Sequence, residues 1–189
     1  GVPGIAIRTT FISGFPGETD ADHRELLDFV REQAFDAVGV FEYSKEPGTP
    51  AGTMEDDPAL AVPPEVKAAR RGEVMALQQD IAFARNAALA GKFDERRPHD
   101  SGVRVDVLID HALKTSGKAT SGVSRGGRLY QGRTSAQAPS IDSVTFVHST
   151  RALSPGEVIR CVIVDADGYD LIARPVDELE RRVGLKVVG

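Results

Sequence analysis

The apolar residues of this 189-residue chain follow two different periods, and the change near residue 98 restricts the fold more than any other feature. "GIAIRTTFIS" alternates with period two. It sets Ile5, Ile7, Thr9 and Phe11 on one face of a strand and Ala6, Arg8, Thr10 and Ile12 on the other. Thr19 and Asp22 have the spacing of a capping box, and Asp20 and Asp22 favour the positive end of a helix dipole. The helix they open runs to about Ala34, with Leu26, Leu27 and Val30 as its apolar stripe. "DAVGVFEYS" supplies a second strand, and strand, helix, strand in so short a span predicts a parallel βαβ unit. Residues 45–64 read as a long loop rich in Pro, Gly and acid, a length that is functional or disordered when it occurs inside a compact domain. Pro63 and Pro64 then open a helix to about Ala90, with Val66, Val74, Leu77, Ile81, Ala84 and Ala88 at helical spacing and Gly91 as the stop.

Beyond residue 98 the rhythm changes to five short strand candidates: "VRVDVLID", "GRLYQGRTS", "SVTFVHS", "EVIRCVIVDA" and "YDLIARPV". Turn residues separate them, "DADGYD" carrying an Asp-Gly pair suited to a tight hairpin. Five such strands predict a small antiparallel barrel of the OB-like kind. The expected fold class is therefore α/β plus all-β, with boundaries at 1–98, 99–176 and a tail at 177–189. Residues 114–127, "KTSGKATSGVSRGG", read as a polar flexible loop.

Charge and composition narrow the function. The net charge is −5, and the acidic excess lies in residues 1–98, leaving the remainder near neutral. That argues against a strongly basic nucleic-acid binder. No run of about 18 apolar residues suggests a membrane span. The single cysteine, Cys161, lies in an apolar strand pattern, excludes an intrachain disulfide framework and fits a cytoplasmic protein. A chain opening at Gly1, a few residues before a strand, reads as a piece of something longer.

"TTFISGFPGET" poses the sharpest local question, because a strand ends there in Gly-Phe-Pro-Gly just before a helix. A phosphate loop is the first thought, yet Gly14 and Gly17 are followed by Glu18 and Thr19, with neither the Lys nor the third Gly that phosphate motifs need. Arg8 and Thr10 share a face with Ile12. If that face lines a barrel, Arg8 suits an anion such as a ligand carboxylate; on an open sheet it is simply solvated. Arg125, Arg128, Tyr130 and Arg133 interleave base and aromatic, which reads either as an RNA-facing patch or as ordinary surface charge. His23, His99, His111 and His148 show no metal-binding spacing, and His23, in the first turn of a helix, is expected in solvent. Asp165, Asp167 and Gly168 echo a calcium loop, but the twelfth position is Val176 rather than Glu.

"RTTFISGFPGET", "VGVFEYSKEPGTPA", "RRGEVMALQQDIAFARN", "AQAPSIDSVTFV" and "ADGYDLIA" occur in that order along nearly the whole chain. Together they resemble the RimO-type methylthiotransferases and, more loosely, their MiaB-type tRNA-modifying relatives. The resemblance implies a cytoplasmic radical S-adenosylmethionine enzyme with two 4Fe-4S clusters, of which this chain would be the last part of a partial (β/α) barrel followed by a TRAM domain. It implies that Arg8, Thr10, Ile12, Gly14, Phe41 and Tyr43 face the cofactor. Ile12 would offer a wall to adenine, Gly14 close backbone approach, and Arg8 a carboxylate contact. Arg125, Arg128, Tyr130 and Arg133 would face the substrate. That substrate would be a small-subunit ribosomal protein at the decoding centre, modified on an aspartate β-carbon, with RNA as a further contact and an unknown electron donor. All six cluster cysteines are missing, so the chain is expected to be inactive alone. A tRNA-modifying enzyme of the MiaB type and a non-catalytic TRAM binding module are the alternatives.

Overall fold

A computed structural model describes residues 4–114 and 127–180, and the chain divides into two compact units, residues 1–82 and 83–189. In the first, β1 (Arg8–Ser13) pairs in parallel with β2 (Ala37–Glu42), joined by α1 (Asp20–Gln33). The expected capping box is present: the Thr19 side chain accepts from the Asp22 amide at 3.2 Å, and the Asp22 carboxylate accepts from the Thr19 amide at 2.8 Å. The strand begins later than its alternation suggested, since Ile5 and Ile7 are exposed rather than continuing the inner face of Phe11. Residues 45–64 are not wholly irregular. Thr49 caps a short helix, α2 (Pro50–Met54), by accepting from the Gly52 amide at 3.0 Å.

The long helix, α3 (Pro64–Ala90), has the expected length, and the Gly91 amide closes it on Ala87 at 2.8 Å. Its buried seam differs from the apolar stripe. Lys67, Arg70, Val74 and Gln78 are buried, with Leu77 and Ile81 partly so, whereas Ala84 and Ala88 are exposed. Val74 meets Val30, Phe35, Val38 and Val40 in the core of this unit, while the polar members of the seam hold loops and backbone. Gln78, for example, donates to the Phe35 carbonyl at 3.0 Å.

The second unit contains a closed barrel of five strands: β3 (Arg104–Leu113), β4 (Arg128–Arg133), β5 (Thr145–Ser149), β6 (Val158–Asp167) and β7 (Asp170–Pro175). Around the barrel the order is β3-β4-β5-β7-β6. Every pairing is antiparallel except β5 with β7, a parallel contact that lets the chain close the barrel. Val107, Ile109, Tyr130, Val147, Ile159, Cys161 and Ala173 fill the interior. A short helix, α4 (Val176–Glu180), follows β7. The hairpin between β6 and β7 turns on Gly168 and Tyr169, one residue later than the Asp-Gly pair, with Gly168 at φ +59° as the first central residue. Two bulges interrupt the ladder, at Asp110 in β3 and at Val164 in β6.

Candidate functional site

The parallel pair in the first unit has two unlike faces. Phe11, Val38 and Val40 belong to the side packed on the helices. Register sets Arg8, Thr10 and Ile12 beside Ala37, Gly39 and Phe41 on the other side, as the alternation required. That side is open: Ile12 is 55% and Phe41 65% exposed, side by side at the C-terminal ends of their strands. Parallel sheets normally have both faces covered, so an apolar pair left bare at strand ends is a place for a ligand or another element.

The turn after β1 is built from the inside. Phe15-Pro16-Gly17-Glu18 forms a turn closed by the Glu18 amide on the Phe15 carbonyl at 2.9 Å, with Gly17 at φ +88°. Glu18, nearly buried, accepts from the Gly14 amide at 2.7 Å and from Arg70 Nη1 at 2.9 Å. Arg70 also donates to the Glu18 carbonyl at 3.1 Å and to Asp20 at 2.6 Å, and its guanidinium holds the Asp20 carboxyl below the usual carboxylate range. Thus the turn is clamped by a buried ion pair from α3.

Gly14 is required for a different reason than the sequence suggested. Its φ is +75°, and a Cβ there would lie 2.2 Å from Lys67 Cγ, so the space is taken by the Lys67 stem. The Lys67 ammonium continues to Glu55 at 2.5 Å and sits 4.9 Å from the centre of the Tyr43 ring. Tyr43 packs edge-on against Phe15 at 5.3 Å, so it belongs with the turn rather than with the open face of Ile12 and Phe41. Lys67 and Arg70 were missed in the sequence because charged residues in a helix read as its solvated side, and Glu18 because an acid in a turn before a helix reads as exposed. The one available signal was their spacing with Val74 at positions 67, 70, 74 and 78. His23, expected in solvent, is instead buried and hydrogen-bonded through Nε2 to Glu73 at 2.8 Å.

On the barrel the three proposed contact residues that the structure describes, Arg128, Tyr130 and Arg133, do not form one patch. Arg125 lies outside the described residues, as do residues 115–126 of the polar loop. Arg128 is exposed at the start of β4, whereas Arg133 ends the strand and pairs with Asp110. Tyr130 corrects the expectation of a stacking surface: it is 2% exposed inside the barrel. Its hydroxyl accepts from the Leu153 amide at 3.0 Å, and strand parity forces the ring inward with Gly132.

What the barrel does present is a cleft of about 380 Å³ between β3, β4 and the 138–144 loop. The bulge aims Asp110 at Arg133, and Gly132 makes it possible, because a Cβ there would lie 2.5 Å from the Leu108 carbonyl oxygen. The loop is pinned by Gln137, whose Oε1 accepts from the Thr134 amide at 2.9 Å and from Thr145 Oγ1 at 2.7 Å. Asp142 accepts from the Ala138 amide at 2.6 Å. Among the described residues no group of three or more His, Cys, Asp or Glu is placed to hold a metal ion. Cys161 is fully buried, and burial pushes its thiol up to about 12. No helix of the described residues is long and apolar enough to cross a membrane.

Residues 102–176, which contain all five barrel strands, match the family model of the TRAM domain. The whole length finds relatives as well. A ribosomal protein uS12 methylthiotransferase RimO of Anaeromyxobacter sp. (strain K) is 42% identical over 175 residues, covering 93% of this chain and 32% of that protein. The chain is a relative of the RimO-type methylthiotransferases. The RimO of Anaeromyxobacter sp. (strain Fw109-5) is 40% identical over 204 residues, 100% of this chain and 38% of its own length. That of Lachnoclostridium phytofermentans is 39% identical over 171 residues, 90% of this chain and 33% of its own. The chain thus spans about a third of the length of the RimO proteins it matches.

Proposed function

We propose that the chain is the portion of a RimO-type methylthiotransferase that completes the cofactor face of a partial barrel and recognises the substrate through its TRAM domain. The observation that carries this reading is identity near 40% that runs through both units, so the βαβ segment and the barrel share one ancestry. The domain division we favour is 1–98 for the partial barrel, 99–176 for the TRAM domain and 177–189 for the tail. The reaction is methylthiolation of an aspartate β-carbon of protein uS12 at the decoding centre of the small ribosomal subunit, in the cytoplasm. A near-neutral barrel with carboxylates in its cleft supports a protein substrate over tRNA, whose binding depends on neutralising phosphates.

The two bare apolar side chains at the strand ends fit the adenine of S-adenosylmethionine, with Ile12 and Phe41 as its wall. Thr10 and Arg8, on the same face, would meet the polar remainder, Arg8 taking the carboxylate. Gly14 and Tyr43 act from behind, as parts of the clamped turn that fixes the end of β1. Held there by Ile12, Phe41, Thr10 and Arg8, S-adenosylmethionine would supply, on one-electron reduction by a cluster, the radical chemistry that activates the substrate carbon. The 4Fe-4S clusters do not fit this chain: its one cysteine is sealed in the barrel, so their thiolates must come from elsewhere in the gene product.

The test is to express the complete gene product and measure iron, sulfide and S-adenosylmethionine cleavage after reduction. Two 4Fe-4S clusters per chain and cleavage that falls at least about tenfold in Ile12→Asp or Phe41→Asp support the reading, since a buried charge beside adenine is strongly unfavourable. A product without iron would overturn it in favour of a binding module.

A further inference from the structure

Resting on the reading of the strand ends as the face that takes S-adenosylmethionine, we propose that Lys67 is a positioning residue for that cofactor. It acts from the helix side of the sheet, on the chain that leaves Ile12 and Phe41. Residues 43–62 join β2 to α3 at the C-terminal ends of both strands, the side on which α/β sheets take ligands. Backbone bonds hold this segment at either end. The Tyr43 amide donates to the Ser13 carbonyl at 2.8 Å, and the Gly17 amide donates to the Leu60 carbonyl at 2.7 Å. Lys67 holds the middle. Its ammonium donates to Glu55 at 2.5 Å and to the Tyr43 carbonyl at 3.4 Å, and it lies over the Tyr43 ring. Its stem fills the space beside Gly14, and its own carbonyl accepts from the Ser13 hydroxyl at 3.3 Å. One residue of α3 thus touches the chain beyond each strand and the returning segment together.

Stability alone does not account for an ion pair here. The Lys67 side chain is 10% exposed and that of Glu55 17%, so both charges are largely out of water. Apolar side chains of similar volume are often as stable as such a pair, or more so. What the ammonium adds is direction, since its donors must meet oxygens at fixed places. A methionine would pack beside Gly14 and leave the segment free to shift. The segment around Glu55 is itself braced, because Thr49 caps α2 and its hydroxyl donates to the Glu46 carbonyl at 2.8 Å. A shift there carries Tyr43 with it and, through the edge-on contact at 5.3 Å, Phe15. Those two rings follow Phe41 and Ile12 in the chain, so the loss of Lys67 reaches the cofactor face without touching it. Misplacement by about 1 Å is enough to weaken a bound reactant's contacts strongly.

The test uses the complete gene product, unreduced. Equilibrium dialysis with radiolabelled S-adenosylmethionine gives the affinity, and hydrogen exchange of residues 49–61 in the ligand-free protein gives the hold on the segment. The decisive variant is Lys67→Met combined with Glu55→Leu, which replaces the ion pair by an apolar one. It should melt no lower than wild type, bind about tenfold more weakly and exchange the amides of residues 49–61 faster. Glu55→Gln, which keeps an oxygen for the ammonium, should stay within about threefold of wild type. Asp56→Asn, which removes the exposed pair with Lys45 on the same segment, should stay within about twofold. An apolar pair that binds as wild type does would overturn the positioning role and leave the reading of the cofactor face intact. Should the double variant fail to fold, Glu55→Leu against Glu55→Gln carries the same contrast, and equal affinities would overturn the role. Wild-type protein that does not bind S-adenosylmethionine would overturn both.

Discussion

Replacing Arg70 by Met removes the guanidinium that holds the turn after β1 while keeping most of the side chain's volume. The Arg70 side chain is 8% exposed and Glu18 13%, so the variant leaves a buried carboxylate without its cation. Breaking such a pair on one side typically costs about 3–5 kcal/mol. Two corrections act in opposite directions. Glu18 keeps the Gly14 amide as a donor, which lowers the cost, and the Glu18 carbonyl loses its own partner, which raises it. Asp20 is 82% exposed, so its pair with Arg70 adds little. We therefore expect about 3 kcal/mol for Arg70→Met, less for Glu18→Gln, and a coupling of about 2 kcal/mol between them in a double-mutant cycle. Urea unfolding followed by far-ultraviolet circular dichroism reports on α1 and α3, and exposure of the Cys161 thiol follows the barrel separately. A loss below about 1 kcal/mol, or additive single variants, would refute the clamp.

Gly14→Ala should lower stability by about 1–2 kcal/mol in the same measurement, because it meets both a left-handed backbone and the Lys67 stem. Cys161, buried and raised to about 12, should not react with a disulfide reagent at neutral pH until the barrel is unfolded by urea. His148 is held below its ordinary value of 6.5, first by burial and then by Arg174, so the unfolded chain binds its proton more readily. Stability should be level above about pH 6.5 and fall as the pH drops below it, and His148→Gln should flatten that part of the profile. The carboxylates held low, such as Asp22 and Glu157, act only in more acidic solution, so the two effects separate.

The elements were legible because each announces itself locally. Period two in "RTTFIS", the Thr19 cap, Pro64 and Gly91 each specify an element or its end without reference to the rest of the chain. Strand parity also carried the open face, since Arg8, Thr10 and Ile12 can only lie together once the strand is granted. Long-range pairing of polar groups was not legible. Lys67 and Arg70 look like solvated helix charges until Glu55 and Glu18 arrive from distant loops. Tyr130 misled for the complementary reason, because an aromatic among arginines resembles a stacking surface although parity turned it inward. The cleft depends on a single extra residue in β3, a bulge that no periodic pattern marks.

The most direct test of the account is the mass of protein uS12 in ribosomes from a strain of the source organism lacking this gene. The account predicts that an aspartate-containing peptide of uS12 carries one methylthio group in the parent strain, loses it in the deletion strain and regains it when the gene is restored. An unchanged uS12 in the deletion strain, with a methylthio group instead missing from tRNA, would contradict it.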